Sequence, residues 1–194
     1  GSRDAALTAL AFEQIIAQAH PLASTAIEVI EGGRKVAGSA TFQAGLVELQ
    51  DVARQAVVET LALRKGQRIL DYCAGGGGKA LALAALADSA VDAWDSDAAR
   101  MQDIAKRAER AGANITCLTE KPSGQYDIVL CDVPCSGSGA WRRAPQGKWL
   151  LTSERLTQLG NVQGDILQQA ARLVSPGGGL GYTTCSLLAQ ENMD

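Results

Sequence analysis

Asp132, Cys135 and Cys185 are the residues whose types and placement could do chemistry. Ile128, Val129, Leu130 and Cys131 read as a strand buried on both faces; Asp132 ends it, and Pro134, Gly137 and Gly139 forbid its continuation. A carboxylate and a thiol therefore sit on the loop at the carboxyl end of a parallel-type strand, the edge at which open α/β sheets bind ligands. Cys185 closes a later strand-like run, Gly181-Tyr182-Thr183-Thr184-Cys185-Ser186. If the two strands share one sheet, both thiols and Asp132 face the same crevice. Most single cysteines are small buried hydrophobes, and that reading is kept for Cys73, Cys117 and Cys131. Their loop positions make Cys135 and Cys185 candidates for reactive thiols. The sole histidine, His20, is far off in sequence and precedes Pro21, so a Cys-His hydrolase is excluded.

A second site lies upstream. The strand Arg68–Tyr72 runs through Asp71-Tyr72-Cys73-Ala74-Gly75-Gly76-Gly77-Gly78-Lys79 straight into a helix. Consecutive glycines let the backbone approach a ligand closely and present N–H groups at a helix N-terminus. Asp95 follows Gly75 by twenty residues, at the end of the next strand, where a carboxylate can accept from both ribose hydroxyls. The pair points to an adenosine-type cofactor. A Walker phosphate loop fails, because Cys73 and Ala80 stand where it needs Gly and Ser or Thr. A dinucleotide pattern can be drawn through Gly75, Gly77 and Ala80, although four glycines match many patterns by chance. Two thiols and a carboxylate beside such a cofactor suit methylation of cytosine carbon 5. That carbon is a poor nucleophile until a thiolate adds to carbon 6; a base must later remove the carbon 5 proton so that the thiol is eliminated.

These residues need elements to hold them. Strands are predicted at Arg68–Tyr72, Val91–Trp94, Asn114–Leu118, Asp127–Cys131 and Leu180–Thr184, alternating with helices near 79–87, 97–111 and 153–174. This is the pattern of a doubly wound, mostly parallel α/β sheet. Gly160 and Gly164 fall inside the last helix, and Ser175-Pro176-Gly177-Gly178-Gly179 reads as a break before the final strand. Ahead of this domain, apolar spacing predicts a helix over 4–19 ended by His20-Pro21. Short strand-like pieces follow at Ile27–Ile30 and Leu46–Leu49, then a helix from Gln50 to Leu63. Residues 1–49 read as a small helical and irregular extension, and 50–194 as the main domain.

The chain has 194 residues, a net charge of −3 and 4% aromatics, which suits one main domain with a real core. No run of eighteen apolar residues and no signal-peptide pattern is present, so a cytoplasmic protein without membrane contact is expected. Five cysteines without a Cys-x-x-Cys pair, with one histidine, favour reduced thiols over disulfides and exclude a plausible zinc site.

On these motifs the chain resembles the Sun/Fmu-type (NOL/NOP/Sun) RNA cytosine-5 methyltransferases, bacterial ribosomal RNA branch, which use S-adenosylmethionine. Asp71 to Lys79 is similar to their first cofactor motif and Asp95 to Arg100 to their second. Asp132-Val133-Pro134-Cys135-Ser136-Gly137-Ser138-Gly139 is similar to their Asp-Ala-Pro-Cys-Ser-Gly motif. Tyr182 to Ser186, with Glu191-Asn192 behind, resembles the closing motif, and Gln50-Asp51 a pair upstream of the catalytic domain. The resemblance implies a Rossmann-like class I methyltransferase fold. It makes Cys185 the nucleophile on carbon 6 and Cys135 the helper for proton removal and product release. Asp132 would contact the flipped cytosine or the cofactor, with Lys79 close to the reacting centre. Cofactor contacts would come from Cys73, Ala74, Gly75, Gly76, Gly77, Gly78, Lys79, Asp95 and Asp132. Related enzymes acting on DNA place the nucleophile in a Pro-Cys motif, which by itself would select Cys135.

Three departures stand out. Gly75-Gly76-Gly77-Gly78-Lys79-Ala80 replaces Ala-Pro-Gly-Gly-Lys-Thr, which should loosen the loop. Only Glu120 is available where the family has an aspartate near the adenine. The chain also stops at Asp194, where the family adds further strands, so truncation is expected. Arg142, Arg143, Lys148 and Arg155, with Trp141 and Trp149 interleaved, could meet phosphates and splayed bases. The target base must be flipped or single-stranded. The expected partner is RNA, ribosomal rather than transfer RNA, for a monomer. Two other readings remain at this point: a methyltransferase-fold RNA-binding or assembly factor of weak or no activity, and a nicotinamide oxidoreductase, for which no hydride-transfer site is visible.

Overall fold

The N-terminal region does not form the single helix its apolar spacing predicts. In the computed structural model, which describes residues 2–192, helix α1 spans only Arg3–Phe12. Gln14 adopts a left-handed backbone (φ 57°), which an α-helix does not continue through. Ile16–Ala19 then form strand β1, paired antiparallel with β2 (Ile27–Glu31). The β-branched Ile15 and Ile16 suit this pleated course, and Ile15 is buried with Leu10 and Val36 in a small cluster of its own. The strand expected at Leu46–Leu49 is absent: after a 3-10 turn at Gly33–Gly38 and the short helix α2 (Ala40–Gln43), these residues run as open chain. Within them Glu48 pairs with Arg107 and Arg110, anchoring the segment to the main domain. Helix α3 covers Val52–Glu59, less than the Gln50–Leu63 expected; Asp51 caps it by accepting from the Ala53 N–H at 3.0 Å.

The main domain follows the predicted alternation: β3 (Ile69–Asp71), α4 (Gly78–Ala87), β4 (Val91–Ala93), α5 (Ile104–Ala111), β5 (Ile115–Cys117), β6 (Tyr126–Asp132), α6 (Gln146–Leu150), α7 (Ser153–Ala171) and β7 (Val174–Thr183). The order is β5-β4-β3-β6-β7, every pairing parallel. Winding proceeds outward from β3 in one direction and then, from β6, in the other. The strand order therefore reverses between β3 and β6, and a crevice opens at their carboxyl ends. Ile69, Val91, Ile128 and Leu130 pack with Leu83 of α4 and Ile104 of α5 on one face; Leu70, Val129 and Cys131 pack with Ala170 of α7 on the other. Burial on both faces explains why β6 reads as an unbroken apolar run.

Three boundaries differ from the sequence reading. The helix expected over 97–111 is a 3-10 turn, Ala98–Met101, followed by α5. Helix α7 ends at Ala171 and passes through Gly160 and Gly164 without interruption. Ser175 to Gly179 does not break the chain before β7 but lies inside it. Tyr126 pairs with Val174 and Ile128 with Gly179, so the intervening residues bulge out of register. Gly177 takes φ 81° there, and a Cβ on Gly178 would come within 2.7 Å of the Asp127 carbonyl oxygen. The glycines that signalled a break permit this close approach instead.

Candidate active site

The turn from β3 into α4 forms one wall of a cleft of about 590 Å³ at the reversal of strand order. The turn is tied down despite its four glycines. Gly75 N–H donates to the Asp95 carboxylate at 2.9 Å, Gly77 N–H to the Ala74 carbonyl at 2.8 Å, and Arg107 to the Gly76 carbonyl. Gly77 has φ 78°, and a Cβ there would lie 2.7 Å from Cγ1 of the buried Ile104. Cys73, Ala74, Gly75, Gly76, Gly78, Lys79 and Asp132 line the cleft; Gly77 and Asp95 do not. Asp95 is buried behind the turn, where it also accepts from the Asp97 N–H at 3.0 Å and pairs with Arg100 at 3.1 Å. Arg100, the last residue of the second motif though not among the contacts the resemblance implies, lies across Gly75 and lines the cleft. Glu120 is exposed and is not part of this lining.

At the cleft floor lies Asp71, which opens the first motif but is given no contact role there. It ends β3, is 1% exposed, and neither carboxylate oxygen has a hydrogen-bond partner among the described residues. Burial pushes its pKa up to about 7; the Lys79 charge opposes this, while Asp132 and Asp95 add to it. The Ala80 amide also lowers it, without meeting the geometry of a hydrogen bond. Lys79, 6% exposed, reaches Asp132 at 2.5 Å. An unpartnered buried carboxylate facing a cleft is an uncompensated charge waiting for a cationic or donor group.

The two loop thiols meet. Cys135 Sγ and Cys185 Sγ are 3.3 Å apart, because β6 and β7 are adjacent and in register up to Asp132 and Thr183. Their environments split their acidities. Cys185 is lowered to about 6, chiefly by the hydrogen bond from Cys135, with Arg54 helping against burial and the Asp132 charge. Cys135 is raised well above the ordinary thiol range by donating to Cys185, and burial adds to this. A single proton shared between the two sulfurs therefore stabilises a negative charge, and the surroundings favour that charge on Cys185. Burial keeps Cys73 protonated, pushing it up to about 12, and burial raises Cys131 and Cys117 as well. Asp132 and Arg54 line the cofactor-type cleft and also act on the Cys185 charge, which joins the thiols to the cleft.

A family model described as "16S rRNA methyltransferase RsmB/F" matches residues 58–194. The chain belongs to this family. A ribosomal RNA small subunit methyltransferase B from Erwinia tasmaniensis is 36% identical over 204 residues, covering 98% of this chain and 46% of that protein. The chain therefore spans about half the length of the curated relatives it matches. Among solved structures, PH0851 superposes with a TM-score of 0.88 at 28% identity, covering 97% of this chain and 45% of the other. NSun6 from Pyrococcus horikoshii, solved with SFG, gives 0.73 at 22% identity over 86% of this chain and 46% of its own, a likeness of fold. The RsmB/F chain is thus a Rossmann-like methyltransferase fold built on a parallel sheet. Among the described residues no group of three or more His, Cys, Asp or Glu side chains could hold a metal ion, and no helix is long and apolar enough to cross a membrane.

In this RsmB/F chain the basic segment after the thiol loop is partly committed. Arg143 pairs with Asp51 at 2.9 Å, which holds Asp51 below the usual carboxylate range. Trp141 is half-buried against Gly147, whereas Trp149 is 80% exposed with Lys148 over its ring. Arg142 and Arg155 are exposed. Arg54 and Arg107 join Arg100 in the cleft lining without any motif to announce them. Gln163, on α7, was also unannounced; it donates to the Pro134 carbonyl at 2.9 Å and to Glu191 at 3.0 Å. An inward-facing glutamine on a helix stripe otherwise apolar was the available signal.

Proposed function

We propose that this chain is the catalytic part of an S-adenosylmethionine-dependent enzyme that methylates carbon 5 of a cytosine in RNA, with small-subunit ribosomal RNA as the substrate rather than transfer RNA. The observation that carries the reading is the Cys135–Cys185 pair, 3.3 Å apart with unequal acidities, beside a glycine-walled cleft. The cleft suits the cofactor: Gly75, Gly76 and Gly78 leave its wall bare of side chains, and the orphaned Asp71 carboxylate offers an acceptor for a cationic group. Cys73 to Lys79 and Asp132 would hold it, and Asp95 would join them once the exposed Arg100 swings aside. When bound, S-adenosylmethionine supplies an electrophilic methyl group.

The chain's own residues do the rest. Cys185, already a thiolate at neutral pH, bonds to carbon 6 of the flipped cytosine, and the displaced π electrons make carbon 5 nucleophilic. Asp132, steadied by Lys79, orients the base. Cys135, once it is a thiolate, removes the carbon 5 proton; the electrons of that C–H bond restore the ring double bond, and the carbon 6–sulfur bond breaks with its pair returning to Cys185. Trp149, Arg142 and Lys148 give the rim a stacking face and free cations for a single-stranded target. The division into an extension, 1–49, and a catalytic domain, 50–194, belongs to this proposal. So do a monomeric state and a cytoplasmic location. The test uses the full-length protein and unmodified small-subunit ribosomal RNA. Cys185→Ala abolishes methyl transfer, and Cys135→Ala accumulates a covalent RNA adduct on a denaturing gel. Full activity in Cys185→Ala overturns the mechanism.

A further inference from the structure

Neither thiol holds its own position. Cys135 and Cys185 lie on loops, and what sets their separation is a set of polar links just after each of them. Ser136 and Ser186, the residues that follow the two cysteines, touch through their hydroxyls at 3.1 Å, and Ser186 also meets the Ser138 hydroxyl at 3.0 Å. The Gly139 N–H donates to the Cys185 carbonyl at 2.9 Å. The Ser136 side of this set is held by Glu191. Its carboxylate accepts the Ser136 N–H at 2.8 Å, the Ser136 hydroxyl at 2.5 Å and the Gln163 side chain at 3.0 Å, and its backbone carbonyl accepts the Tyr182 hydroxyl at 3.0 Å. Glu191 is only 3% exposed. Burial works against its charge, and the hydrogen bonds, led by Ser136, outweigh it and hold the carboxyl below its usual range.

A buried carboxylate is a costly way to fill space; well-packed apolar residues do that at least as well. What a charge adds is direction, since three donors on two different elements must point at it together. Two of those donors belong to Ser136, one bond along the chain from Cys135. Resting on the two-thiol reading above, we propose that Glu191 is a positioning residue for the second half of the reaction: it holds the Cys135 loop so that this thiol, and not only Cys185, reaches the bound base. Cys185 shares the Ser136–Ser186 contact but also has holds that do not run through the Glu191 carboxylate: the Gly139 link and the hydrogen bond from the Ser186 N–H to Thr184 at 3.0 Å. Losing the Glu191 charge therefore leaves formation of the carbon 6 bond largely intact and slows the proton removal that releases the product.

The experiment is a single-turnover reaction of the full-length protein with unmodified small-subunit ribosomal RNA and S-adenosylmethionine, following methyl incorporation and covalent adduct in parallel. For Glu191→Gln the adduct forms within about threefold of the wild-type rate and persists at least tenfold longer, so multiple-turnover rate falls tenfold or more. Glu191→Asp, which keeps the charge, recovers part of the release rate. Ser136→Ala, which removes one donor and keeps the carboxylate, gives the same persistence in milder form and decides the matter if Glu191→Gln does not fold. Prompt adduct release in both Glu191→Gln and Ser136→Ala overturns the proposal. So does a loss of adduct formation equal to the loss of release at unchanged melting temperature, because that is general damage. Absence of an adduct even in Cys135→Ala would instead sink the two-thiol chemistry itself, which keeps the two failures apart.

Discussion

Replacing Asp71 by asparagine should make the free protein more stable and a worse methyltransferase. Asp71 moves from an ordinary 3.8 to about 7 in the folded chain. At about 1.4 kcal/mol per pH unit, keeping it ionised costs the fold about 4 kcal/mol. The sign follows from the direction: the folded state holds the proton more tightly than the unfolded one. This group's contribution is thus fully present below pH 3.8, is lost as pH rises to about 7, and stays constant above. Asparagine removes the charge but leaves a buried amide without partners at a cost of roughly 1–3 kcal/mol, so the net gain at pH 8 is roughly 1–3 kcal/mol. For a chain of this length that is roughly 2–12 °C in melting temperature. At pH 4.5, where wild-type Asp71 is protonated in the fold, most of the gain disappears. Circular dichroism melts of both proteins at the two pH values, without cofactor, give the comparison. Calorimetry should also show S-adenosylmethionine bound about 10–100-fold more weakly by Asp71→Asn, since a hydrogen bond to a charged acceptor is lost. An Asp71→Asn variant no more stable than wild type at pH 8, or equally stabilised at both pH values, refutes the account of Asp71 as an uncompensated charge.

Two further outcomes follow from the geometry. Because Cys185 is lowered to about 6, wild-type adduct formation should be flat above about pH 7 and fall about tenfold per unit well below 6. In Cys135→Ala the acidic limb should move towards ordinary thiol values; an unmoved limb in a rapid-quench pH series shows that Cys135 does not set the Cys185 charge. Gly77→Ala puts a Cβ at a φ of 78° and within 2.7 Å of Ile104, so strain and overpacking together should cost roughly 2–4 kcal/mol. Thermal denaturation measures this, the same Gly77→Ala change should cost less in an Ile104→Ala background than in the wild type, and an unchanged melting temperature contradicts the packing described.

The parallel sheet was legible because its signals are local: five short apolar runs alternating with stretches of helical period. The glycine turn after β3 and the two thiol loops were legible for the same reason, each being a short motif at a strand end. The N-terminal hairpin was not, since Leu7, Leu10, Ala11 and Ile15 satisfy a helical period, and only the pairing of Ile16–Ala19 with Ile27–Glu31 overrides it. The bulge inside β7 was hidden because glycines that allow a close approach look the same in sequence as glycines that end a strand. In the site, Arg54 and Gln163 went unseen and Asp71 stood only as part of a motif, because what marks them belongs to the assembled fold: burial without partners for Asp71, partners distant in sequence for Arg54 and Gln163.

The 3.3 Å pair of sulfurs also supplies a clock. The acidity of Cys135 is suppressed by the negative charge on its neighbour. On the proposed chemistry that charge is spent when Cys185 bonds to carbon, and with it goes much of the reason for Cys135 to keep its proton. Cys135 then gives up its proton to solvent and becomes a base only after the first bond exists. When it takes the carbon 5 proton and Cys185 departs as a thiolate, the starting distribution is restored, one proton and one charge on the same two atoms. The single proton that methylation must release leaves at the middle of the cycle, through Cys135. A base armed by the preceding step cannot act out of turn, so order is written into the spacing of two atoms rather than into any moving part.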